Sequence, residues 1–378
     1  MTSTTAPQPS SAERLTPPAP RVPLDRVRAV LLKLHDEIRD AVVAACEAQS
    51  AEQLSAIAAD DEGDTIYAVD KVSEDLLVEV LGRELATAEQ PLVLVAEGIE
   101  GGSVVLPEGA DPADAAWRVI VDPIDGTRGI MFQKRAAWIL TGVAPNFGDG
   151  TTLRDIRLAL MTEIPVVKQH LCDQLWVQDD VAADGGIAGE GTVQAERLNR
   201  LDGTRTPITL NASRADTVAH GFFSFARFFP GVKDVITEVD EAVTERLVGR
   251  PQPGKALCFE DQYMCTGGQL YELAAGRDRA VADLRPLVGP SLAERGLPMG
   301  LCCHPYDLCT MLVAERLGVV LAGPAGEPLD APLDVDADVS WVGYANRALA
   351  DRVTPVLREV LDERGLLPER DQRKGGAA

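Results

Sequence analysis

From Leu24 onward, apolar residues recur at Leu24, Val27, Val30, Leu31, Leu34 and Ile38, with Arg, Lys, Asp and Glu between them. This is the period of an amphipathic helix, predicted to run to about Cys46. A second helix is predicted from about Asp70 through Leu85. The pattern then changes to short apolar runs bounded by turn residues, Leu92–Val95 and Val119–Val121, as expected of buried strands. Trp138–Val143, Ile156–Met161 and Leu175–Val177 continue this strand-rich section, while the Gly-, Asp- and Arg-rich stretch 180–206 reads as a boundary or surface excursion. Helices are predicted at 233–248, 262–275, 306–317 and 346–364. Strands at 280–284, 319–322 and 339–342 fall among them. The pattern gives two α/β or α+β halves, 24–205 and 206–366, with no internal repeat.

The Ser-, Thr-, Pro- and Ala-rich residues 1–23 bury too little apolar surface to offset chain entropy and are expected to form a disordered arm; 367–378 read as a frayed tail. The 378 residues include 36 basic and 59 acidic side chains, a net charge of −23. That argues against nucleic-acid and anionic-membrane partners, which are held by Lys and Arg. No apolar run is long enough to span a membrane and no basic-then-apolar leader opens the chain, so a cytoplasmic location is expected. Seven cysteines without a C-x-x-C pair read as reduced thiols. Cys302-Cys303-His304 lacks further zinc ligands at usable spacing and is assigned to core packing.

The stretch that carries chemistry is Val119-Ile120-Val121-Asp122-Pro123-Ile124-Asp125-Gly126-Thr127. A buried strand here delivers two carboxylates into a turn sharpened by Pro123 and Gly126. Two ionised carboxylates about 4 Å apart repel by roughly 4 kcal/mol at an effective dielectric near 20, so a cation between them is the ready way to keep them together. Asp-Pro and Asp-Gly are also ordinary turn formers whose carboxylates can point into water. Two further acids weigh against that reading: Glu97 at the end of the apolar run Leu92–Ala96, and Asp307 at a predicted helix start, where alone it would read as a helix N-terminal aspartate. The pattern Asp-x-Asp-Gly-Thr also marks haloacid dehalogenase phosphatases, whose first aspartate is the nucleophile. Here that position is Pro123, which has no nucleophilic side chain.

Asp122-Pro123-Ile124-Asp125-Gly126-Thr127, the upstream Glu97, and Pro305-Tyr306-Asp307 followed by Met311–Val320 together resemble the inositol monophosphatase family. This is the magnesium-dependent, lithium-sensitive superfamily that includes fructose bisphosphatases and phosphoadenosine phosphate phosphatases. Asp64–Asp70, Gly267–Gly276 and Gly323–Leu333 add to the resemblance, which spans about residues 60–345. It implies a layered αβαβα sandwich with the site between the halves. It also implies that Glu97, Asp122 and the Ile124 carbonyl hold one Mg²⁺ and that Asp122, Asp125 and Asp307 hold a second. Gly126 and Thr127 would bind phosphate, and Thr127, Glu97 and Asp70 would help to place the attacking water.

Three positions depart from the family pattern. Gly98 stands where a second acid usually follows the Glu97 position, with Glu100 two residues on, so the resemblance implies two ions and leaves a third open. Tyr67 replaces a threonine before Asp70, and Tyr306 replaces a tryptophan before Asp307. Arg128, Lys134 and Arg135 are candidate contacts for a second anionic group, although Lys and Arg also serve as plain surface charge. Asp283 and Arg285 lie near where relatives select their alcohol, with an apparent insertion between Pro286 and Gly300. The cluster Phe222, Phe223, Phe225, Phe228 and Phe229 reads first as core packing and second as a pocket or dimer face. The expectation is a Mg²⁺-dependent phosphomonoesterase acting on a small polyol, sugar or nucleotide phosphate, with a homodimer implied by relatives. The alternatives are a 3′-nucleotidase, a sugar bisphosphatase, or a silent regulator that binds a phosphorylated metabolite.

Overall fold

A computed structural model describes residues 14–54, 57–60, 65–67, 71–231 and 233–367. The helix Leu24–Ala48 buries its predicted stripe, Val27, Leu31, Leu34, Ile38 and Val42, and packs with the helix Lys71–Glu84 against one face of an eight-stranded sheet. The sheet runs in the order 205–207, 194–199, 171–178, 158–164, 137–145, 117–125, 92–96, 103–106. All its neighbouring strands are antiparallel except Leu92–Ala96 and Trp117–Asp125, which run side by side. Both strands of this parallel pair are buried but for the half-buried Arg118, which explains the apolar runs Leu92–Val95 and Val119–Val121.

On the other face lie the helices Thr266–Ala274, Pro305–Leu308 and Met311–Arg316. Beyond them is a four-stranded sheet, in the order Phe222–Phe225, Asp278–Asp283, Trp341–Tyr344, Val320–Ala322. The helices Lys233–Val248 and Arg347–Glu363 cover its outer side. The layering is αβαβα. Two cores fill it, one under the N-terminal helix pair and one between the sheets.

The structure revises several expectations. The stretch 180–206 is no mere excursion: Gln194–Asn199 pairs along Leu171–Gln178, and Arg205–Pro207 closes the sheet edge. Polar residues such as Glu196 and Arg197 hide these strands, because at this end of the sheet the side chains are partly wetted. A boundary at 205/206 therefore cuts a strand, and the change of sheet falls between Pro207 and Phe222. The helix predicted at 306–317 is broken between Leu308 and Met311, and that at 262–275 begins only at Thr266.

Part of the expected arm is anchored. Arg14 pairs with Asp155 at 2.8 Å and lies over the Phe147 ring, while Trp117 Nε1 donates to the Val22 carbonyl at 3.0 Å. These are polar and ring contacts, which a count of burial capacity does not register. Residues 1–13 and 368–378 lie outside the described residues.

Candidate active site

The parallel strands end together. Ala96 is in register with Val121, so the next step along both chains sets Glu97 beside Asp122 at the carboxyl end of the sheet. In an unbroken strand, residues three apart face opposite ways. Here the pairing with Ala137–Pro145 slips between Asp122 and Asp125, where Pro123 offers no N–H to the ladder. The irregularity re-aims Asp125 so that both carboxylates serve one pocket. Asp122 Oδ1 fixes the turn by accepting from the Ile124 N–H at 3.0 Å, and the Thr127 hydroxyl donates to the Ile124 carbonyl at 2.9 Å.

Gly126 has φ 96°, and a Cβ there would lie 3.0 Å from Cys265 Cβ. Both the turn and the close approach of the neighbouring segment therefore call for glycine. Cys265 precedes the helix Thr266–Ala274, whose first N–H groups reach Asp125: Thr266 N donates to Oδ1 at 3.2 Å and Gly267 N to Oδ2 at 2.5 Å. Gly267 also allows this contact, since a Cβ would meet Leu140 Cδ2 at 2.5 Å. Asp307 sits in the first turn of Pro305–Leu308, and its Oδ2 accepts from the His304 N–H at 2.6 Å. The helix-aspartate role read for Asp307 alone and its place in the acidic cluster thus coexist.

One carboxylate oxygen each from Asp122, Asp125 and Asp307 lies within 4.8 Å of the other two. Asp122 is 4% and Asp125 6% exposed. Among the described residues no Lys or Arg forms an ion pair with any of the three. Burial, then the charges of Asp125, Asp307 and Glu97, push Asp122 well above the usual carboxylate range. Burial raises Asp125 to about 6 against the pull of its N–H donors. Burial and the charge of Asp125 likewise raise Asp307. Three oxygen donors converging in one crevice, each disfavoured as an anion, suit a hard divalent cation such as Mg²⁺. The donor set therefore fits the ion that the motifs implied.

Glu97, Asp122, Ile124, Asp125, Gly126, Thr127 and Asp307 all line one crevice, together with Arg128 and Arg285. Asp70 lies outside the described residues. Arg128 sits over the Phe229 ring at 5.5 Å. Arg285 is gripped by Asp283, with its Nε 2.9 Å from Oδ1, and donates to the Leu301 carbonyl at 2.8 Å. Asp283, 1% exposed, stands behind Arg285 and does not line the crevice.

Arg135 and Lys134 line a different cavity. Arg135 pairs with Asp261 at 2.7 Å and lies over Tyr263, because the chain has turned away after the short helix Thr127–Met131. Cys302, Cys303 and His304 form no metal-capable cluster among the described residues. Sequence reasoning missed the amides of Thr266 and Gly267 and the crevice walls Leu301 and Cys302, and it gave Phe228 and Phe229 a pocket role only as a second reading. The Gly267-Gly268 pair at a helix start was the available signal for the amides. The aromatic cluster divides: Phe223 and Phe225 are core, whereas Phe228 and Phe229 line the crevice.

No protein-family model matches the sequence, and no curated protein does. Solved structures match in fold. The holo form of Leishmania major fructose-1,6-bisphosphatase aligns with a TM-score of 0.61 at 14% identity, over 91% of this chain and 96% of that one. Thermotoga maritima IMPase aligns at 0.53 and 14% identity, over 90% and 99%. Mycobacterium tuberculosis SuhB aligns at 0.52 and 15%, over 89% and 97%. The chain therefore has the fold of the inositol monophosphatase and fructose-1,6-bisphosphatase structures, as its motifs implied.

Proposed function

We propose that this protein is a Mg²⁺-dependent phosphomonoesterase of the inositol monophosphatase type, hydrolysing a small phosphorylated metabolite by direct attack of water. The observation that carries the reading is the convergence of Asp122, Asp125 and Asp307 within 4.8 Å, with Glu97 beside Asp122 in the register of the only parallel strand pair of the large sheet. Asp122, Asp125 and Asp307 would hold one ion, and Glu97, Asp122 and the Ile124 carbonyl a second. Bound Mg²⁺ supplies charge neutralisation for the phosphoryl oxygens and acidification of water.

The chain's own groups set the geometry. Asp125 is held by two backbone N–H groups and Asp307 by one, so neither carboxylate must reorganise when an ester binds. The Thr127 hydroxyl gives its hydrogen to the Ile124 carbonyl, which fixes its oxygen in the crevice. Glu97, half-buried at the crevice edge, is placed to take a proton from water. Arg128 and Arg285 line the same crevice, Arg285 held in place by Asp283, and their N–H groups are the candidate contacts for an anionic substrate.

Phosphate release should rise from background with added Mg²⁺ and stop with chelator. Asp122→Asn should lower it about a thousandfold with the far-UV spectrum unchanged. Near-normal turnover in that variant would sink the proposal. Assays on inositol 1-phosphate, fructose 1,6-bisphosphate and phosphoadenosine phosphate separate the three activities that the fold hosts among its named relatives and alternatives.

A further inference from the structure

The acidic crevice encloses about 80 Å³. It is the smaller of two adjoining hollows, and it is lined by the acids, Gly126 and Thr127 that would seat the phosphoryl group. The alcohol portion of an ester seated there would extend toward the larger one. A second cavity of about 370 Å³ adjoins the crevice, the two sharing Phe229, Arg285, Leu301 and Cys302 as lining. Its remaining surface is mainly apolar beside the charged Arg227 and Lys233, with Val288, Leu292, Leu297 and Met299 contributed by the segment that departs from the family pattern. An apolar void of about 150 Å³ already accepts benzene, so this one has space for a ring with substituents.

Two features show that the cavity is built rather than incidental. Leu297 and Met299 remain 43% and 40% exposed at its rim, where large apolar side chains gain nothing unless something covers them. Arg285, on the shared wall, is fixed by Asp283 on one side and stacks near Phe228 and Phe229, at 5.1 and 5.7 Å, on the other. A polyol placed among Val288, Leu292 and Leu297 would exchange water for carbon along that wall and find donors only at the margins, in Arg227, Lys233 and Arg285. A hydrocarbon group would gain by the same move.

We propose that the preferred substrate is a phosphomonoester whose alcohol carries an aromatic or branched aliphatic group, the phosphoryl end seated in the acidic crevice and the apolar group in this adjoining cavity. The assignment rests on the phosphomonoesterase reading and specifies its substrate class. The test compares Mg²⁺-dependent kcat/KM for 2-phenylethyl phosphate with that for glycerol phosphate and inositol 1-phosphate. Phenylethyl and glycerol esters both release alkyl alcohols, so the comparison reports mainly on binding.

The phenylethyl ester should be favoured by about tenfold or more. Leu297→Asp and, separately, Met299→Gln should each lower the ratio of phenylethyl to glycerol ester turnover several-fold, by about threefold at least. An equal or lower value for the phenylethyl ester, or a ratio unmoved in both variants, overturns the apolar subsite and leaves the phosphatase reading standing. No Mg²⁺-dependent release from any of the three esters overturns both.

Discussion

Two sets of buried aspartates in this molecule meet opposite fates. Asp173, Asp179 and Asp283 are 2%, 0% and 1% exposed, and each faces an arginine: Arg197 at 2.6 Å, Arg316 at 2.8 Å, and Arg285 in a forked grip. Asp122 and Asp125 are comparably buried, and with Asp307 they meet one another and a few N–H groups instead. The fold thus shows that it can neutralise a buried carboxylate wherever an arginine is supplied. At one place it forms no such ion pair and converges three acids. The first arrangement is complete in the chain, whereas the second could hold a metal ion.

The widest separation between the two sets is in activity and stability. Asp122→Asn should abolish turnover, yet in metal-free protein it should raise the thermal midpoint, because it removes a charge that burial and three neighbouring acids disfavour. Arg316→Met should do the reverse, costing about 3 kcal/mol by stranding the Asp179 charge, with far less effect on kcat. Paired unfolding and turnover measurements on these variants check both signs. A metal-free midpoint lowered by Asp122→Asn would break the contrast.

A smaller effect follows from pH. Asp125, raised to about 6 from an ordinary 3.8, binds more protons folded than unfolded between those values. Its contribution to metal-free stability is therefore full below about pH 4 and is lost as pH rises through about 6. Bound Mg²⁺ removes that loss. The Mg²⁺-induced rise in midpoint should consequently grow between about pH 5 and pH 7.5, measured by thermal unfolding with and without chelator. A rise that is flat or falls over that range would count against a carboxylate-held ion.

The smallest effect concerns a polar set that the chain completes without charge. His35 lies between the Thr162 and Thr141 hydroxyls at 2.9 and 2.8 Å, under the N-terminal helix, and burial with the nearby Arg39 lowers it to about 3. Its sign is opposite to that of Asp125: the contribution is full above its ordinary 6.5 and is lost as pH falls towards 3. Thr162→Val should cost about 1–2 kcal/mol in denaturant unfolding by leaving one ring nitrogen without a partner, and turnover should stay near normal.

The acidic centre was legible because its motifs are local, and the layering followed from the resemblance that those motifs carry. The apolar runs ending at Ala96 and Val121 announce buried strands, and the acids that follow them announce what the strands deliver. Gly126, Pro123 and the Gly267-Gly268 pair mark the turn and the close contact that frame them. What escaped notice depends on partners distant in sequence. Nothing near Asp283 says that it stands behind Arg285 instead of facing the crevice, and nothing in Arg135 says that Asp261 and Tyr263 draw it elsewhere. The polar strands 194–199 and 205–207, the last two at this end of the sheet, escaped because their neighbours, and not their own residues, make them strands.

The acids that would grip the ions are rooted in different layers: Asp122 and Asp125 in the large sheet, Asp307 in the middle helices, with the helix Thr266–Ala274 clamped to Asp125 by its amides. An ion caught among them is a rivet through the sandwich. Extracting it with a chelator should loosen the seam between those layers before it disturbs either sheet, so amide exchange should quicken first around 266–274 and 305–308 and last along the N-terminal helix.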